Sequence, residues 1–271
     1  DQETDTFLLS GTQGTLVNQV ANNPRAKLLE SFKREIAISI LWNDLKTFFS
    51  MVRYMRHLKK QYATIIVHTH STKAGLLGRF AALYAGITIR VHTVHGYSFH
   101  EHQSKRVWLY NYVLEVFASF ITTHYVCVSS HDIRTGIKRI PFFTNKHTLI
   151  RAGVAEDTFY TPITHAPSFP AAQQPFIFGT ISCFKRQKNI IDLLRAFHLI
   201  HEKLPHTKLE IIGDGELRPT IERYISDHHL NHVITLHGWQ HDVIPFMHKW
   251  HAFVLSSLWE SRTMISTPRG R

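Results

Sequence analysis

Short runs of β-branched residues alternate with segments whose apolar residues recur at helical spacing, and this alternation restricts the possible fold more than any other feature of the sequence. Residues 65–70 read as a strand, and Ser71 is the predicted N-cap of a helix that ends at Gly86. A second strand over residues 87–95 precedes a long helix over residues 105–121. Parallel strands need a crossover connection, which a helix supplies. The order of segments therefore predicts an α/β protein built on parallel sheets with helices on their faces.

The alternation is interrupted once, by a segment rich in Pro, Ala and Gln. Residues 166–175 show little periodicity and contain three prolines, which is typical of an interdomain linker. Strand-like and helix-like segments then resume, with a strand over residues 176–182 and a helix over residues 190–204. We therefore predict an N-terminal domain over residues 1–165, a linker over residues 166–175 and a C-terminal domain over residues 176–271.

The charge balance of the chain favours anionic partners. The formal net charge is +11 with histidine neutral, and the chain contains 21 histidines that add to it in mild acid. Nucleic acid is not predicted as a partner, because the sequence lacks zinc-finger spacing, Arg-Gly repeats and RNP-like aromatic motifs, and its basic residues are scattered. An anionic membrane surface or a diphosphate ligand accounts for the same charge.

Hydrophobic content and cysteine usage bear on where the protein resides. With 44% hydrophobic residues over 271 positions, the chain can bury a core. No apolar run reaches the roughly 18 to 20 residues that span a bilayer, since even residues 107–121 contain Asn111 and Glu115. Cys127 and Cys183 lie far apart in apolar runs, which predicts two buried thiols in a reducing compartment rather than a disulfide. We therefore expect a cytoplasmic protein, at most peripheral on the cytoplasmic face of the membrane.

The positions that follow the predicted strands are polar or rich in glycine. In open parallel sheets, ligands bind beyond the carboxyl ends of the strands. The segments at those ends are His70-Ser71, His95-Gly96, Ser129-Ser130, Gly213-Asp214-Gly215, Gly238-Trp239 and Ser256-Ser257. A basic turn that contains Lys185 and Lys188 precedes the predicted helix at residue 190, and it is either a solvated turn or a phosphate site at a helix start. These segments are the candidates for a ligand site.

Two of these segments allow a second interpretation. A His-x-His pair such as His68 and His70 also occurs in metal sites, but no carboxylate pattern accompanies it, so we interpret His68 and His92 as hydrogen-bonded structural residues. His95 precedes Gly96 at a predicted strand end, and we interpret it as functional.

The long helix over residues 105–121, basic at its start, is interpreted as a core helix, with a membrane-surface helix as the alternative.

The pair Gly213 and Gly215 is similar to part of a dinucleotide-binding loop. The third glycine of such a loop is replaced by Arg218, so a tight strand-to-helix turn accounts for the pair equally well. An NAD-dependent oxidoreductase would also need an acidic ribose-binding residue, and the sequence offers none in a suitable place.

Six short motifs occur in order along nearly the whole chain. They are residues 68–75 (HTHSTKAG), 92–96 (HTVHG), 183–189 (CFKRQKN), 209–216 (LEIIGDGE), 236–239 (LHGW) and 254–260 (VLSSLWE). In joint order and spacing they resemble the family 4 retaining glycosyltransferases, in particular those that build bacterial surface polysaccharides. The resemblance implies the GT-B fold, in which two Rossmann-like parallel-sheet domains face each other across a cleft. It also implies transfer of a sugar, without a metal or other cofactor, from a nucleotide diphosphate sugar to a glycan or lipid-linked acceptor.

The resemblance also implies roles for individual residues. Lys185 and Lys188, with Asn189 in the same motif, match the segment that contacts the donor diphosphate, where positive charge stabilises a departing phosphate. His95 matches the histidine that contacts the transferring sugar, and Glu260 matches a glutamate that binds sugar and ribose hydroxyls. The full expected set is His95 and Glu260 as catalytic residues, Lys185, Lys188, Asn189, Gly213, Gly215, Gly238, Trp239 and Glu260 for the donor, and His70 and Ser71 on the acceptor side.

The sequence departs from the family pattern at three places. Many members carry an arginine where this chain has Cys183, and a second glutamate where it has Pro268. The first strand of the family, with its glycine-rich loop, would precede Asp1. We therefore expect a chain truncated at both ends of the family pattern, with an incomplete second domain. The alternative to an active transferase is an inactive fragment or a non-catalytic nucleotide-binding protein of the same fold.

Overall fold

The computed structural model describes residues 4–13, 17–33, 41–101, 103–151, 153 and 174–259. These residues form two compact units, an N-terminal unit up to residue 151 and a C-terminal unit from residue 153. Every pairing between described strands is parallel. The predicted α/β class with a parallel sheet in each half is therefore confirmed. Most of the predicted linker, residues 166–175, lies outside the described residues, so the domain boundaries stay a prediction.

The N-terminal unit contains a two-stranded and a four-stranded sheet. Its elements are β1 (Leu8–Gly11), α1 (Val17–Val20), β2 (Ala26–Leu29), α2 (Leu41–Lys59), β3 (Ile66–His70), α3 (Thr72–Tyr84), β4 (Ile89–Val94), α4 (Lys105–Ile121), β5 (His124–Cys127), α5 (Ser130–Arg139) and β6 (His147–Leu149). The strand orders are β1-β2 and β3-β4-β5-β6. Because neighbouring strands of the larger sheet are consecutive in sequence and parallel, α3, α4 and α5 are its crossover helices.

Helix α3 packs closely on the four-stranded sheet because two of its positions have no side chain. A Cβ atom on Gly78 would lie 2.9 Å from Thr69 Cγ2, and one on Gly75 would lie 2.6 Å from the His92 ring. Ala81 continues the same small-residue face and is fully buried. The ends of β3 and β4 are thereby held against the first turns of α3.

A buried ion pair joins α3 to α4. Arg79, whose side chain is completely inaccessible, donates from both terminal nitrogens to Glu115, at 3.0 and 3.2 Å. The same guanidinium donates to Thr122 Oγ1 and to the carbonyl of Gly75. Such a pair is tolerated in a core only when nearly all its hydrogen-bonding groups are satisfied, as they are here.

Helix α4 buries several polar residues and exposes several apolar ones. The buried positions include Asn111, Glu115 and Ser119, whereas Phe117 and Phe120 are 60% and 58% exposed. The bounds predicted for this helix are confirmed, and its inner side packs on the core, but its outer side exposes several large apolar residues. Trp108 and Tyr112 pack against Phe99 on the inner side of the helix, beside the buried polar residues, whereas the exposed phenylalanines face outward.

The described part of the C-terminal unit forms a four-stranded sheet. Its elements are β7 (Phe176–Ile181), a 3₁₀ turn (Arg186–Lys188), α6 (Ile190–Lys203), β8 (Thr207–Ile212), α7 (Arg218–Asp227), β9 (Ile234–Gly238), α8 (Ile244–Met247) and β10 (Ala252–Phe253). The strand order is β10-β7-β8-β9. The core lies between this sheet and helices α6 and α7, whose buried residues include Leu194, Phe197, Ile221 and Ile225 together with Leu209 and Ile211 of β8.

The structure differs from the sequence-based expectations at several elements. The short elements α1, β2 and β6 were not predicted, and β10 ends at Phe253 rather than at residue 256. Cys127 is buried as predicted, but Cys183 is exposed, because it lies in the loop after β7 rather than inside the strand. Among the described helices, none combines the length and the apolar character needed to cross a bilayer.

Candidate functional site

The loops that follow three neighbouring strands of the C-terminal unit are joined by backbone hydrogen bonds. After β7, Phe184 donates from its amide to the carbonyl of Asp214 at 2.9 Å, and its carbonyl accepts from Leu217 at 3.0 Å. The amide of Gly213 donates to the carbonyl of Gly238 at 2.8 Å. The ends of β7, β8 and β9 therefore form one connected edge, as expected for a ligand site in a parallel sheet.

Gly213 and Gly215 are required by the close approach of the β7 loop. Both have positive φ angles, +133° and +156°. A Cβ atom on Gly213 would lie 1.9 Å from the carbonyl oxygen of Ser182, and one on Gly215 would lie 2.9 Å from the amide nitrogen of Phe184. The space beside these glycines is filled by the chain's own backbone, which favours the tight-turn interpretation over a dinucleotide loop.

The basic turn is fastened to the segment that follows β10. Ser256 Oγ donates to the carbonyl of Lys188 at 2.8 Å, and the amide of Leu258 donates to the carbonyl of Gln187 at 2.9 Å. Gln187 Nε2 in turn donates to the carbonyl of Trp259 at 2.8 Å. Lys185 is exposed and Lys188 is partly buried. The structure thus brings both predicted lysines to the same edge of the sheet as the glycine loops.

Asn189 forms the junction between the basic turn and α6. It has left-handed backbone angles, φ 52° and ψ 42°, and its side chain donates to Asp192 Oδ2 at 3.0 Å instead of accepting from a helix amide. Asp192 also pairs with Arg195 at 2.9 Å. The predicted residue is therefore in place before the helix, but its side chain acts in a local turn.

Gly238 and Trp239 end the β9 strand at the same edge. Gly238 has a positive φ of +68° in open surroundings, where the nearest atom to an added Cβ would be Arg218 Nη1 at 3.9 Å. The Trp239 side chain is 57% exposed. An exposed indole beside open backbone offers a flat apolar surface on which an aromatic ligand can stack.

Several residues of this edge were given no individual role from the sequence. Phe184 is fully buried and supplies two backbone contacts to the β8 loop, and Gln187 and Ser256 hold the basic turn. Asp214 accepts from the amide of Gly215 and from Arg218 Nη1, at 2.8 and 2.9 Å. The signal available for Ser256 was its place after a predicted strand, whereas nothing local marks Gln187.

Three histidines, His68, His70 and His92, lie on the neighbouring strands β3 and β4 of the N-terminal unit, and His95 directly follows β4. His68 Nε2 lies 2.7 Å from Thr93 Oγ1, and His92 Nδ1 lies 2.9 Å from Thr69 Oγ1. The interpretation of these two as hydrogen-bonded residues is confirmed. Within the described ranges, no group of three His, Cys, Asp or Glu residues is arranged to hold a metal ion.

His70 and His95 contact each other. His70 Nδ1 lies 3.1 Å from His95 Nε2, so one ring donates and the other accepts. A neutral acceptor nitrogen is needed in this pair, which means that both rings cannot be protonated while the bond persists. His70 and His95 therefore form one coupled unit, placed where the resemblance expects contact with sugars.

Ser71 has an unusual backbone at the start of α3. Its φ of 61° and ψ of 165° lie in a region that few residues other than glycine adopt, and its side chain makes no capping bond. The predicted side-chain cap is wrong for that reason. A cavity of about 30 Å³ next to it is lined by Ser71, His95, Gly96, Tyr97 and Glu115. Such a volume is enough for one water molecule.

Burial shifts the acid–base behaviour of this histidine group. The pKa of His92 is lowered to about 2, first by burial and then by the positive charge of Arg79. Burial also lowers the pKa of His68 and of His70. These rings stay neutral in the folded protein at pH values where free histidine is protonated.

We expect the stability of the N-terminal unit to fall in mild acid because of His92. The unfolded chain protonates this ring near pH 6.5, whereas the folded chain does not, so the loss begins below pH 6.5 and continues down to the folded pKa. The slope of the free energy of unfolding against pH approaches about 1.4 kcal/mol per pH unit. The accumulated loss is therefore about 2 kcal/mol by pH 5. Urea unfolding from pH 7 to pH 5 measures it. His92→Asn should flatten this dependence; equal slopes in the wild-type chain and in this variant would contradict this origin.

One predicted residue, Glu260, lies outside the described residues. Its role, and that of Pro268 in the same region, stays a prediction. The remaining donor-side residues lie at one edge of the C-terminal sheet, and His70, Ser71 and His95 lie at one edge of the N-terminal sheet.

Comparison with known proteins assigns a family to each half of the chain. The family described as glycosyl transferases group 1 matches residues 164–265, and the one described as glycosyl transferase 4-like matches residues 8–126. UDP-Gal:alpha-D-GlcNAc-diphosphoundecaprenol alpha-1,3-galactosyltransferase of Escherichia coli is 32% identical over 267 residues, covering 96% of this chain and 67% of that protein. The capsular polysaccharide biosynthesis glycosyltransferase CapM of Staphylococcus aureus is 25% identical over 209 residues, covering 70% of this chain and 50% of that protein.

Solved structures show the same fold. HepE of Anabaena in complex with UDP and glucose has a TM-score of 0.67 at 15% identity, covering 92% of this chain and 66% of that one. TarM of Staphylococcus aureus, in complex with fondaparinux, alpha-GlcNAc-glycerol and UDP, has a TM-score of 0.60 at 15% identity, covering 80% and 42%. The chain thus spans between about two fifths and two thirds of the length of these proteins.

Proposed function

The chain belongs to the group 1 glycosyltransferases of the surface-polysaccharide type, which have the GT-B fold, and from that premise we propose that it transfers a sugar, with retention, from a uridine diphosphate sugar to a glycan or lipid-linked acceptor. The observation that carries the proposal is the edge of the C-terminal sheet, where a basic turn, two glycine loops and an exposed indole lie together. The Escherichia coli relative is named for a UDP-galactose donor and a diphosphoundecaprenol acceptor, which supports both substrate classes.

The chemistry of the transfer explains why these residue types are needed. The bond between the sugar's anomeric carbon and the diphosphate breaks, and negative charge builds up on the departing phosphate oxygen. Lys188, aided by Lys185, offsets that charge without a metal ion, because a positioned cation is most effective where charge develops. Trp239, beside Gly238, supports the nucleoside base, and Glu260 binds hydroxyl groups of the donor.

The N-terminal unit contributes the acceptor side in this proposal. His95 contacts the transferring sugar, and His70 fixes its ring through the 3.1 Å contact between His70 Nδ1 and His95 Nε2. Ser71, with its constrained backbone, lies next to this pair and faces the acceptor. The net charge of +11 supports work at an anionic membrane surface on the cytoplasmic side, where a lipid-linked acceptor is held.

Calorimetric titration with UDP, GDP and NAD tests the donor assignment. We expect UDP to bind and to raise the melting temperature, because binding to the folded state alone stabilises it. Binding of NAD alone would refute the proposal in favour of an oxidoreductase. Binding of UDP without transfer of labelled sugar to a polyprenyl diphosphate acceptor would favour the second candidate, a non-catalytic nucleotide-binding protein, which the proline at position 268 supports.

Replacing Lys188 by Ala should weaken UDP binding by about tenfold to a hundredfold. The expected loss corresponds to one charge-assisted contact to a phosphate, worth about 1.5–3 kcal/mol. The dissociation constant from calorimetry measures it. Lys208→Ala removes an exposed lysine from β8, outside the proposed site, and should leave the affinity unchanged. Equal affinities for wild type and Lys188→Ala would remove this lysine from the site.

A further inference from the structure

Helix α4 and one neighbouring side chain present a continuous apolar surface to solvent. The large exposed residues are spaced by three and four along one side of the helix, and Phe142 lies with its ring 5.3 Å from that of Phe120. We define the α4 surface as Val107, Leu109, Tyr110, Val113, Phe117, Phe120 and Phe142, all of which are exposed. Exposed apolar patches of this kind mark contact surfaces in folded proteins.

The orientation of α4 is held by satisfied polar contacts on its inner side. Asn111 Nδ2 donates to the carbonyl of Ser98 at 3.0 Å, and Glu115 accepts from Arg79. If the helix rotated to bury its apolar side, these polar groups would lose their partners, at a cost that exceeds the gain. The apolar side therefore stays on the surface of the described part of the unit.

The exposed charge around the α4 surface is positive. Residues 103–151 contain seven Lys and Arg residues against two acids, Glu115 and Asp132, and both acids are buried. Lys105 and Arg106 are exposed at the start of α4. The Arg139 guanidinium lies 5.3 Å from the Trp108 ring, and Lys146 Nζ lies 5.8 Å from the Phe142 ring. Apolar and aromatic residues with a basic rim match the composition of segments that bind at anionic lipid interfaces.

We propose that the α4 surface docks the chain onto an anionic lipid membrane, with α4 lying in the plane of the interface. The aromatic and aliphatic side chains enter the headgroup region, and the basic rim binds the lipid phosphates. This docking rests on the proposed function only in that a lipid-linked acceptor requires approach to a membrane. A second copy of the chain fits the surface less well, because two-fold pairing would bring the basic rims of both copies together.

Vesicle flotation of the 271-residue chain without nucleotide tests the proposal. We expect the chain to float with vesicles of phosphatidylglycerol and phosphatidylethanolamine, and not with vesicles of phosphatidylcholine alone. Phe117→Ser/Phe120→Ser should lower the partition coefficient about tenfold or more, because two large apolar side chains no longer enter the interface. Lys105→Gln/Arg106→Gln should lower it by a similar factor and weaken its dependence on salt.

Two matched controls separate the α4 surface from general effects. Trp42→Ser/Phe49→Ser removes two exposed aromatic residues from α2, and Lys203→Gln/Lys208→Gln removes two exposed charges from the C-terminal unit. Both should float like the wild-type chain. Circular dichroism of each variant checks that it is folded.

The outcomes are distinct from those for the transferase. A wild-type chain that stays unbound, or α4 variants that float as well as the controls, would overturn the docking proposal even if UDP binds. A chain that is dimeric without lipid, and monomeric after Phe117→Ser/Phe120→Ser, would assign the surface to a second copy instead. Flotation that depends on α4 in a chain that binds no UDP would support docking and count against the proposed donor site alone.

Discussion

Replacing Gly213 by Ala is expected to destabilise the C-terminal unit by about 3 to 5 kcal/mol, the sum of a strained backbone and an overpacked loop. The new Cβ would lie 1.9 Å from the carbonyl oxygen of Ser182, a backbone atom that can move only if the β7 loop moves with it. That movement would also break the hydrogen bond between the Gly213 amide and the carbonyl of Gly238. Differential scanning calorimetry should show a melting temperature lower by on the order of 10 °C or more.

Two other glycines give a graded set of controls for this substitution. Gly238→Ala places a side chain in open space at a φ of +68°, so only the backbone strain, about 1 kcal/mol, is expected. Gly153→Ala meets no atom within 4 Å and should change the stability by less than about 0.5 kcal/mol. If all three variants had the same melting temperature, the close packing of the β7 and β8 loops would not be the reason for glycine at position 213.

Replacing Arg79 by Met is expected to destabilise the N-terminal unit by about 3 to 5 kcal/mol, because it leaves the Glu115 carboxylate buried without its partner. Arg79 is completely inaccessible and makes four hydrogen bonds, to Gly75, Glu115 and Thr122. Urea unfolding followed by far-ultraviolet circular dichroism measures the loss.

The double variant Arg79→Met/Glu115→Leu tests whether the cost arises from the unpaired charge. Replacing both ions by apolar side chains removes the unpaired carboxylate, so most of the lost stability should return. Arg195→Met breaks an exposed pair with Asp192 and should cost at most about 0.5 kcal/mol. A double variant as unstable as Arg79→Met would show instead that the packing of the arginine matters more than its charge.

The fold was largely predictable because long periodic segments fix the class and the order of elements. Helix α4 was predicted with correct bounds, yet its orientation was not. A helical pattern of apolar residues shows which residues share a face, but it does not show which face is buried. Here Asn111 and Glu115 find partners on other segments, Ser98 and Arg79, and only the folded chain brings those partners close. The short strands β2 and β6 carry three or four residues each, too few to show a period.

The candidate site, like the fold, was predicted from the sequence only in part. Glycines and lysines near strand ends were found because their chemistry is local and their positions match motifs. Gln187 and the buried Phe184 were missed as site residues, and the role of Ser256 was not predicted, because they act through contacts to segments that are distant in sequence. The left-handed conformation of Asn189 and the constrained backbone of Ser71 could not be predicted either, since neither residue type requires such a conformation.

The basic turn is attached to the segment after β10, and this attachment affects the order in which parts of the chain fold. The bonds from Ser256 to Lys188 and from Gln187 to Trp259 span 68 and 72 residues. During synthesis the lysines therefore leave the ribosome long before the residues that hold them, and closing so long a loop has an entropic cost. The hydrophobic core of β7, β8 and α6 can assemble first, whereas the basic turn becomes ordered only when β10 joins the sheet. Under the proposed function, binding of the donor nucleotide would therefore be among the last abilities that the newly made chain acquires.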